Sequence, residues 1–529
     1  MTAKQNIESG KAILGIEFGS TRIKAVLIDE ENKPIAQGSH TWENQLVDGL
    51  WTYSTEAIWY GLQDCYAQLR KNVLEQYEVE IETLAAIGIS AMMHGYMPFK
   101  GNDILVPFRT WRNTNTGKAA AELSKLFNYN IPLRWSISHL YEAILDNEEH
   151  VKDIEFLTTL AGYIHWQITG QKVLGVGDAS GMIPVDPKTK TYDATMVEKF
   201  NKLIEPKGFG WKLLDILPKS LNAGENAGFL TPEGANRLDV SGHLKPGIPV
   251  CPPEGDAGTG MVATNAVKQR TGNVSAGTSS FSMIVLEKEL SKPYEMIDMV
   301  TTPDGSLVAM VHCNNCTSDI NAWVKIFKEF QELMGLPVDM NQLYTNLFNA
   351  ALKGDADCGG ILSYNYVSGE PVTGLADGRP LFVRSANDKF NLANFMRAHL
   401  YGAIGVLKIG NDVLFNEEHV QVDRIMGHGG YFTTKGVGQK MLAAALNSPI
   451  SVMETAGEGG PWGMALLAAY AVNNEKKLSL ADYLDQVVFS GNAGVEIKPT
   501  PEDVAGFNAY IENYKKGLAI EQAAVDNKQ

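Results

Sequence analysis

The same short hairpin pattern occurs twice in this chain, about half its length apart. In residues 12–29 (AILGIEFGSTRIKAVLID), β-rich runs flank Gly19-Ser20-Thr21, and in residues 272–288 (GNVSAGTSSFSMIVLEK) they flank Gly277-Thr278-Ser279. Small residues between two β-rich runs predict a tight hairpin turn. Behind the turns, residues 25–29 align with residues 283–287. Chance similarity is the alternative, but we favour a duplication that produced two similar α/β halves.

Helical and strand patterns alternate behind the first hairpin. Apolar residues at helical spacing predict a helix over about 54–76, with Ser54 or Thr55 in position to cap it. The segment LAAIGIS then predicts a buried strand that ends at Met92-Met93-His94-Gly95. Strand, helix and strand in this order are typical of α/β proteins. We expect a first domain over 12–268, a second over 269–495, and a C-terminal helix and tail over 496–529.

Composition narrows the classes of partner. The 529 residues contain 45 Lys and Arg against 61 Asp and Glu, a net charge of −16. Such an acidic chain has no electrostatic footprint for nucleic acid or anionic lipid. The polar start, MTAKQNIESGK, and the lack of an apolar run of ~18 residues predict a cytoplasmic protein without a membrane span. Five scattered cysteines indicate buried thiols and no disulfide framework.

The two turns are the candidates for binding phosphate. Neither a GxxxxGK[ST] loop nor a GxGxxG between strand and helix occurs. Small residues let backbone N–H groups approach an anion, and Ser20, Thr21, Thr278 and Ser279 add hydroxyl donors. If the two halves face one cleft, their turns would hold a polyphosphate from both sides.

Several segments resemble, in the same order, the motifs of the FGGY carbohydrate kinases, members of the sugar kinase, Hsp70 and actin superfamily. They are GIEFGSTRIKAVLID (first phosphate motif), ISAMMHGYMPF (the sugar-contacting segment of xylulokinases), PPEGDAGTGMVA (the catalytic aspartate), SAGTSS (second phosphate motif) and MGHGGYFTTKGVGQKMLAAAL (adenosine motif). The resemblance covers about residues 12–487. It implies two actin-like (ribonuclease H-like) α/β domains facing a central cleft, with ATP and Mg²⁺ as cofactors.

The resemblance also implies roles for individual residues. Asp256 becomes the general base and a metal ligand, although GDAGTG by itself equally suits a turn or a helix cap. Glu17 stands where the family usually has an aspartate that helps to hold Mg²⁺, and its extra methylene leaves open direct or water-mediated coordination. Lys24 either reaches a phosphate or has a structural role. The implied ATP-binding residues are Gly19, Ser20, Thr21, Lys24, Gly277, Thr278, Ser279, Gly427, Gly429 and Gly430.

On the sugar side, the resemblance implies contacts from Met93 and His94. Trp111 and Asn113 lie in FRTWRNTN, where xylulokinases have Trp-Asn-Asp-Gly-Arg; the tryptophan matches and the next residues do not. Asn113 keeps an acceptor and adds donors, so we expect it to contact the sugar. Asp178 either lines the same pocket or caps a turn, and we favour the turn.

These patterns predict an ATP-dependent kinase that phosphorylates the terminal hydroxyl of a pentulose, with D-xylulose to D-xylulose 5-phosphate as the leading reaction. A ribulokinase, or a kinase of another ketose or polyol, is the alternative. A non-catalytic nucleotide-switching protein of the same superfamily is the rival from another class, and Asp256 together with MMHGY disfavours it. The expected partners are therefore a small sugar and ATP, with a homodimer left open beside a monomer.

Overall fold

The computed structural model describes residues 1–453, 459–492 and 494–527, and the chain divides into two compact units. The first comprises Met1–Val267, Asp298–Val308 and Glu458–Ser490, and the second Lys268–Ile297, Ala309–Gly457 and Gly491–Gln529. The domains expected over 12–268, 269–495 and 496–529 are continuous stretches of the chain, whereas each compact unit combines three separate segments. The domain boundaries therefore stay a prediction.

The strands are short. They are β1 (Ile13–Phe18), β2 (Arg22–Ile28), β3 (Pro34–Thr41), β4 (Gln45–Val47), β5 (Leu50–Thr52), β6 (Ala86–Ala91), β7 (Met97–Lys100), β8 (Asp103–Ile104), β9 (Phe156–Thr158), β10 (Val173–Gly175), β11 (Val185–Asp186), β12 (Thr191–Tyr192), β13 (Lys219–Leu221), β14 (Glu254–Gly255), β15 (Thr271–Ala276), β16 (Ser280–Val285), β17 (Asp298–Thr301), β18 (Leu307–Cys313), β19 (Leu362–Tyr364), β20 (Leu381–Val383), β21 (Arg424–His428), β22 (Ile450–Val452) and β23 (Val495–Ile497).

Helices connect and cover these strands. They are α1 (Ala3–Glu8), α2 (Thr55–Tyr77), α3 (Gly117–Phe127), α4 (Ser136–Leu145), α5 (Leu160–Thr169), α6 (Val176–Ala179), α7 (Ala194–Ile204), α8 (Leu213–Ile216), α9 (Pro232–Leu238), α10 (Asp256–Ala263), α11 (Ser318–Leu333), α12 (Met340–Ala351), α13 (Leu392–Asp412), α14 (Val437–Leu446), α15 (Gly459–Asn473), α16 (Leu480–Tyr483) and α17 (Pro501–Asp526). Among the helices of the described ranges, none is both long and apolar enough to cross a membrane.

Each unit contains a sheet with the same strand order. In the first unit the order is β3-β2-β1-β6-β14, and in the second it is β18-β16-β15-β21-β22, followed by β23. In both, the hairpin strands are antiparallel and the first hairpin strand runs parallel to the next strand in the sheet. The predicted duplication of two α/β halves is thus confirmed in the topology.

The two hairpins differ by one residue in their loops. Phe18 pairs with Ile23 across the first turn, whereas Ala276 pairs with Ser280 across the second. The extra residue in the first loop shifts the returning strand. By pairing, Ala25 therefore corresponds to Ser282, and the sequence alignment of residues 25–29 with 283–287 is wrong by one position.

Local sequence explains the main helix of the first unit. Ser54 caps α2 by accepting the Ala57 N–H at 3.1 Å, as its position predicts. Ile58, Leu62 and Leu69 recur at helical spacing and are all buried. The helix ends at Glu78, whose left-handed backbone (φ +55°) stops the hydrogen-bond ladder.

Candidate active site

The end of β1 carries the first acidic group of the site. Glu17 lies directly opposite Lys24 in the β1–β2 ladder, so the two side chains emerge on the same face. Burial raises the pKa of Glu17 to about 8; the nearby Asp256 carboxyl adds to the increase, and the Lys24 charge opposes it. Glu17 and Asp256 are therefore close enough to disfavour ionisation of both in the absence of a cation.

Asp256 is the first residue of α10, directly after β14. The N-cap of this helix is Gly255, so Asp256 is not the capping residue that GDAGTG could have supplied. Its Oδ1 instead accepts the Met93 N–H at 3.3 Å. Burial raises the pKa of Asp256 to about 6, although this hydrogen bond works in the opposite direction. The group is thus ionised at neutral pH and more basic than an ordinary aspartate.

Met93 and His94 form a sharp bend after β6. His94 has a left-handed backbone (φ +68°), as does Gly95 (φ +95°), and strain of this kind in a residue with a side chain concentrates at functional sites. The His94 Nδ1–H donates to the Gly181 carbonyl at 2.9 Å, and its ring stacks on Trp135. The bend and Asp256 therefore belong to one local structure.

Two further buried carboxyl groups lie behind Asp256. Glu254, in strand β14, accepts hydrogen bonds from the N–H groups of Gly177 (3.2 Å) and Asp178 (2.9 Å). It thereby caps the N-terminus of the short helix α6. Asp178 accepts the Thr159 hydroxyl at 2.6 Å. It does not serve the turn-capping role that we favoured. Its Oδ1 is buried without a hydrogen-bond partner among the described residues.

The electrostatics of these two groups reflect their burial. Burial raises the pKa of Asp178 to about 7, and the Asp256 charge adds a smaller increase. Burial also raises the pKa of Glu254 to about 8, with a contribution from Asp178, while the N–H groups that it accepts oppose the shift. The first unit thus gathers four carboxyl groups with raised pKa values, Glu17, Asp178, Glu254 and Asp256, and the increase leaves Asp256 ionised at neutral pH.

Aromatic donors hold the first predicted phosphate turn. The Trp42 indole donates to the Gly19 carbonyl (2.7 Å) and the Tyr53 hydroxyl to the Ser20 carbonyl (2.6 Å). The Trp111 indole donates to Ser20 Oγ at 3.1 Å. A carbonyl oxygen without a hydrogen-bond donor would repel a phosphate. The Trp42 and Tyr53 donors engage two carbonyl oxygens of the turn and so reduce that repulsion. Trp111, expected at the sugar, therefore supports the phosphate turn through its polar atom.

Asn113 is engaged with the backbone. Its Oδ1 accepts the Trp51 N–H (2.8 Å), and its Nδ2 donates to the carbonyls of Trp51 (2.8 Å) and Thr110 (3.0 Å). These three bonds use both Nδ2 hydrogens and one of the two acceptor positions of Oδ1. They tie two chain segments together and leave one acceptor position on Oδ1, so the expected contact between Asn113 and the sugar stays a prediction.

Backbone donors hold the second predicted phosphate turn, within the second unit. The Cys316 N–H donates to the Thr278 carbonyl (2.9 Å), and both the N–H (2.9 Å) and the hydroxyl (2.7 Å) of Thr317 donate to the Gly277 carbonyl. Cys316 is buried, as are the other four cysteines, which confirms the prediction of buried thiols. In both turns, the carbonyl oxygens thus accept hydrogen bonds from residues outside the turn.

The three glycines of the adenosine motif occupy different environments. A Cβ on Gly427 would collide with the Phe432 ring, and one on Gly429 (φ +99°) would collide with the Ala276 carbonyl, next to the second turn. Gly430 faces open space. Packing within the second unit therefore excludes a side chain at Gly427 and at Gly429, whereas a side chain at Gly430 would meet no atom within 4 Å.

The acidic groups of the first unit fit Mg²⁺ only in a substrate-assisted manner. Within the ranges that the structure describes, no group of three or more His, Cys, Asp or Glu side chains could hold a metal ion. Mg²⁺ is commonly held by one or two carboxylates together with waters and substrate phosphates. Glu17 and Asp256 supply two carboxylates, and a cation bound between them would lower the pKa of both.

Sequence reasoning missed Glu254 and Gly460. Glu254 precedes the quoted Gly255-Asp256, and an acidic residue within an otherwise small and apolar segment was the available signal. Gly460, near the start of α15, has no space for a side chain because the Glu17 carboxylate lies there. A glycine pair before Pro461 gave no indication of this long-range contact.

Comparisons with known proteins agree with this architecture. The model of the FGGY family of carbohydrate kinases, N-terminal domain, matches residues 12–263, and that of the C-terminal domain matches residues 272–472. The chain belongs to the FGGY family of carbohydrate kinases. The recognition of this family, the two actin-like α/β units and the activity as a sugar phosphotransferase are confirmed.

Individual relatives are distant but span the chain. A xylulose kinase of Lactococcus lactis is 22% identical over 520 residues, covering 95% of this chain and 96% of the relative. The crystal structure of a ligand-bound xylulose kinase from Lactobacillus acidophilus has a TM-score of 0.77 at 17% identity, with 98% and 99% of the two chains covered. A gluconate kinase structure from the same organism has a TM-score of 0.76 at 17% identity over 98% and 99%. The fold is therefore common to kinases named for different sugars.

Proposed function

We propose that this protein transfers the γ-phosphoryl group of ATP to the terminal hydroxyl of a pentulose, with D-xylulose as the preferred substrate and D-xylulose 5-phosphate as the product. The observation that carries the proposal is the pairing of Asp256 with the strained Met93–His94 bend. A carboxylate with a pKa of about 6 is hydrogen-bonded to the segment that carries the expected sugar contacts.

In this reaction Asp256 is the general base. It accepts the proton of the terminal hydroxyl as the sugar oxygen attacks the γ-phosphorus and the bond to the leaving ADP oxygen breaks. A base is most effective when its pKa is near the working pH and it is still ionised there. The pKa of about 6 at Asp256 meets both requirements.

We propose that Glu17, with Asp256, holds Mg²⁺ directly or through its waters. Bound there with the nucleotide, Mg²⁺ would neutralise charge on the phosphates. Lys24, opposite Glu17 on the neighbouring strand, is placed to add a positive charge on the same face. The residues proposed to bind ATP are those of the two turns and the three glycines of the adenosine motif: Gly19, Ser20, Thr21, Gly277, Thr278, Ser279, Gly427, Gly429 and Gly430.

On the sugar side, we propose contacts from His94 and a wall formed by Met93. The missing side chain of Gly255 leaves the space that Met93 occupies, so the bend is fitted closely to the segment that carries Asp256. The xylulose kinases among the relatives and the Met93-His94-Gly95 sequence together favour D-xylulose. Asn113 stays a further candidate, since its Oδ1 keeps one acceptor position beside the bond from the Trp51 N–H.

Ribulose is the second candidate substrate, and one observation favours it. Residues 108–115 depart from the xylulokinase pattern after Trp111, and the departure includes an asparagine used for packing. If this segment contacts the sugar, its hydrogen-bonding groups would therefore recognise an arrangement of hydroxyl groups other than that of D-xylulose.

The experiment is a substrate panel with ATP and Mg²⁺, read as ADP release. We expect a pentulose to give the highest kcat/KM among D-xylulose, L-ribulose, D-ribulose, L-rhamnulose, gluconate and glycerol, with D-xylulose first. L- or D-ribulose in first place would replace the preferred substrate and keep the pentulose class. Glycerol or gluconate in first place would overturn the proposal.

A further inference from the structure

The main-chain donors of the second phosphate turn lie on a loop, residues 314–317, that joins β18 to α11. The N–H groups of Cys316 and Thr317 reach the carbonyl oxygens of the turn at 2.9 Å. Because both donors are backbone groups, their positions depend on the path of the loop and not on the identity of their own side chains. The residues that fix this path therefore decide where the turn lies.

The side-chain amide of Asn315 ties the loop to a second stretch of the same unit, residues 365–370, called here the anchor segment. Asn315 is 1% exposed, and its Oδ1 accepts the N–H groups of Val367 and Ser368, both at 3.0 Å. Its Nδ2 donates to the Ser368 carbonyl and to Glu370 Oε2, both at 3.1 Å. These bonds use both hydrogens and both acceptor positions of the amide, so its orientation is fixed.

Glu370 is the acidic group at the centre of this junction. Its side chain is buried, and its Oε2 accepts the N–H groups of Asn314 (3.0 Å) and Asn315 (3.3 Å) in addition to the Asn315 amide. Burial raises the pKa of Glu370 to about 7, and the hydrogen bonds from residues 314 and 315 oppose that increase. Because a buried carboxyl oxygen without donors is costly, Glu370 stabilises the loop in the conformation that supplies these donors.

Two further amides complete the junction. The Asn314 Nδ2 donates to the Gly369 carbonyl at 2.8 Å, and the Asn365 Nδ2 donates to the Cys316 carbonyl at 2.9 Å. Cys316 is thus held through its carbonyl by the anchor segment, while its N–H donates to the Thr278 carbonyl of the turn. The loop therefore connects the anchor segment to the phosphate turn through one continuous set of hydrogen bonds.

We propose that Glu370 is a positioning residue for nucleotide binding: through Asn315 it fixes the loop that holds the second turn in the geometry that receives the phosphates of ATP. This inference rests on the proposed role of the turn in binding ATP. A turn of small residues binds phosphate through the direction of its N–H and hydroxyl groups, so a small displacement of the supporting loop weakens binding.

The first test compares nucleotide binding by the full chain and by its Glu370→Ala variant with isothermal titration calorimetry. The probes are a non-hydrolysable ATP analogue with Mg²⁺ and adenosine, which has no phosphates. We expect the dissociation constant of the analogue to rise ~10-fold or more, the size of one hydrogen bond to a charged group, and that of adenosine to stay within ~2-fold. A variant that is merely less stable would contain less active protein and keep both dissociation constants.

Glu418→Ala is the matched control. Glu418 lies in the same unit, is 6% exposed and accepts hydrogen bonds from the Ser291 N–H (3.0 Å), the Ser291 hydroxyl (2.6 Å) and the Tyr294 hydroxyl (2.6 Å). These partners lie outside the loop and the anchor segment. We therefore expect Glu418→Ala to lower the Tm about as much as Glu370→Ala and to leave the affinity for the analogue unchanged.

Two milder variants keep the test decisive if Glu370→Ala does not fold. Glu370→Gln retains an oxygen that accepts the same three N–H groups, so its dissociation constant for the analogue should stay within ~3-fold of the wild type. Asn315→Asp removes both donors of the amide and places a second carboxylate beside Glu370, so the affinity for the analogue should fall as it does in Glu370→Ala. In the double variant Asn315→Asp with Glu370→Gln, the glutamine donates to the new carboxylate, and part of the loss should be recovered.

An unchanged dissociation constant for the analogue in Glu370→Ala and Asn315→Asp would overturn the positioning role and leave the proposed kinase reaction intact. An equal rise for the analogue and for adenosine would also overturn it, because the effect would then not lie at the phosphates. A wild-type protein that binds the analogue no more tightly than adenosine would overturn the phosphate role of the second turn, and this inference with it. Each outcome is independent of which sugar is phosphorylated, since the titrations contain no sugar.

Discussion

The Glu17 carboxylate occupies the space that a side chain at Gly460 would need: a Cβ on Gly460 would overlap Glu17 Oε2. Gly460 lies in the first turn of α15, where the helix dipole favours a negative charge. The longer glutamate at position 17 is therefore accommodated by an absent side chain more than 400 residues away in the sequence.

Gly460→Ala should displace Glu17 and lower kcat by ~10- to 100-fold, since small misplacements of catalytic groups have effects of that size. The Mg²⁺ concentration for half-maximal activity should rise, and both quantities follow from a Mg²⁺ titration of ADP release. Gly117→Ala is the control, because a Cβ there meets no atom within 4 Å. If both substitutions changed kcat by the same factor, the displacement of Glu17 would have no specific effect, and Glu17 would not take part in catalysis.

Asp256→Asn should reduce kcat by ~10²- to 10⁴-fold, because the amide keeps the shape and cannot accept a proton. ATP binding, measured by calorimetry with a non-hydrolysable analogue, should be nearly unchanged. Turnover within threefold of the wild type would remove Asp256 as the base.

The pH dependence of kcat/KM for the sugar should have an acid limb whose midpoint lies below the Asp256 pKa of about 6, because the Mg²⁺ that we propose beside Asp256 lowers that pKa. Because a base must be unprotonated, activity should rise as the pH increases through this midpoint and level off above it. The measurement is initial-rate kinetics between pH 4.5 and 8. A profile that stays flat down to pH 4.5 would contradict the assignment.

Asp178→Asn should make the protein more stable at alkaline pH. Burial raises the folded-state pKa of Asp178 to about 7, so its contribution to stability is complete below the ordinary pKa near 4 and is lost as the pH rises through 7. Asparagine cannot ionise and escapes that loss. The Tm difference, variant minus wild type, should therefore increase from pH 4 to pH 8. The exposed Asp103→Asn serves as control, and a difference independent of pH would refute the argument.

His94→Ala should weaken apparent sugar affinity by the equivalent of one hydrogen bond, ~0.5–1.5 kcal/mol, and leave the KM for ATP almost unchanged. His94→Asn separates contact from folding, because asparagine tolerates the left-handed backbone at this position better than alanine. Parallel increases in both KM values would indicate a structural role.

The hairpins, the helix capped by Ser54 and the duplicated sheet were predictable, because short-range spacing encodes them. The family resemblance implies that the segments of Met93 and Asp256 both serve the sugar, but the hydrogen bond between them was not predicted. The bonds between Asn113 and Trp51 could not be predicted, because they depend on tertiary structure, and the sugar contact expected of Asn113 stays a prediction. Glu254 and Gly460 could not be found in the same way, since each acts on a segment distant in sequence.

The two phosphate turns also differ in how they could change during evolution or design. Three aromatic side chains, Trp42, Tyr53 and Trp111, donate hydrogen bonds to the first turn. The second turn receives most of its hydrogen bonds from the main chain of residues 316–317. Any replacement of those rings alters the first turn, while almost any residue retains the amide that steadies the second. Directed libraries aimed at retuning nucleotide use therefore have adjustable positions behind the first turn and few behind the second.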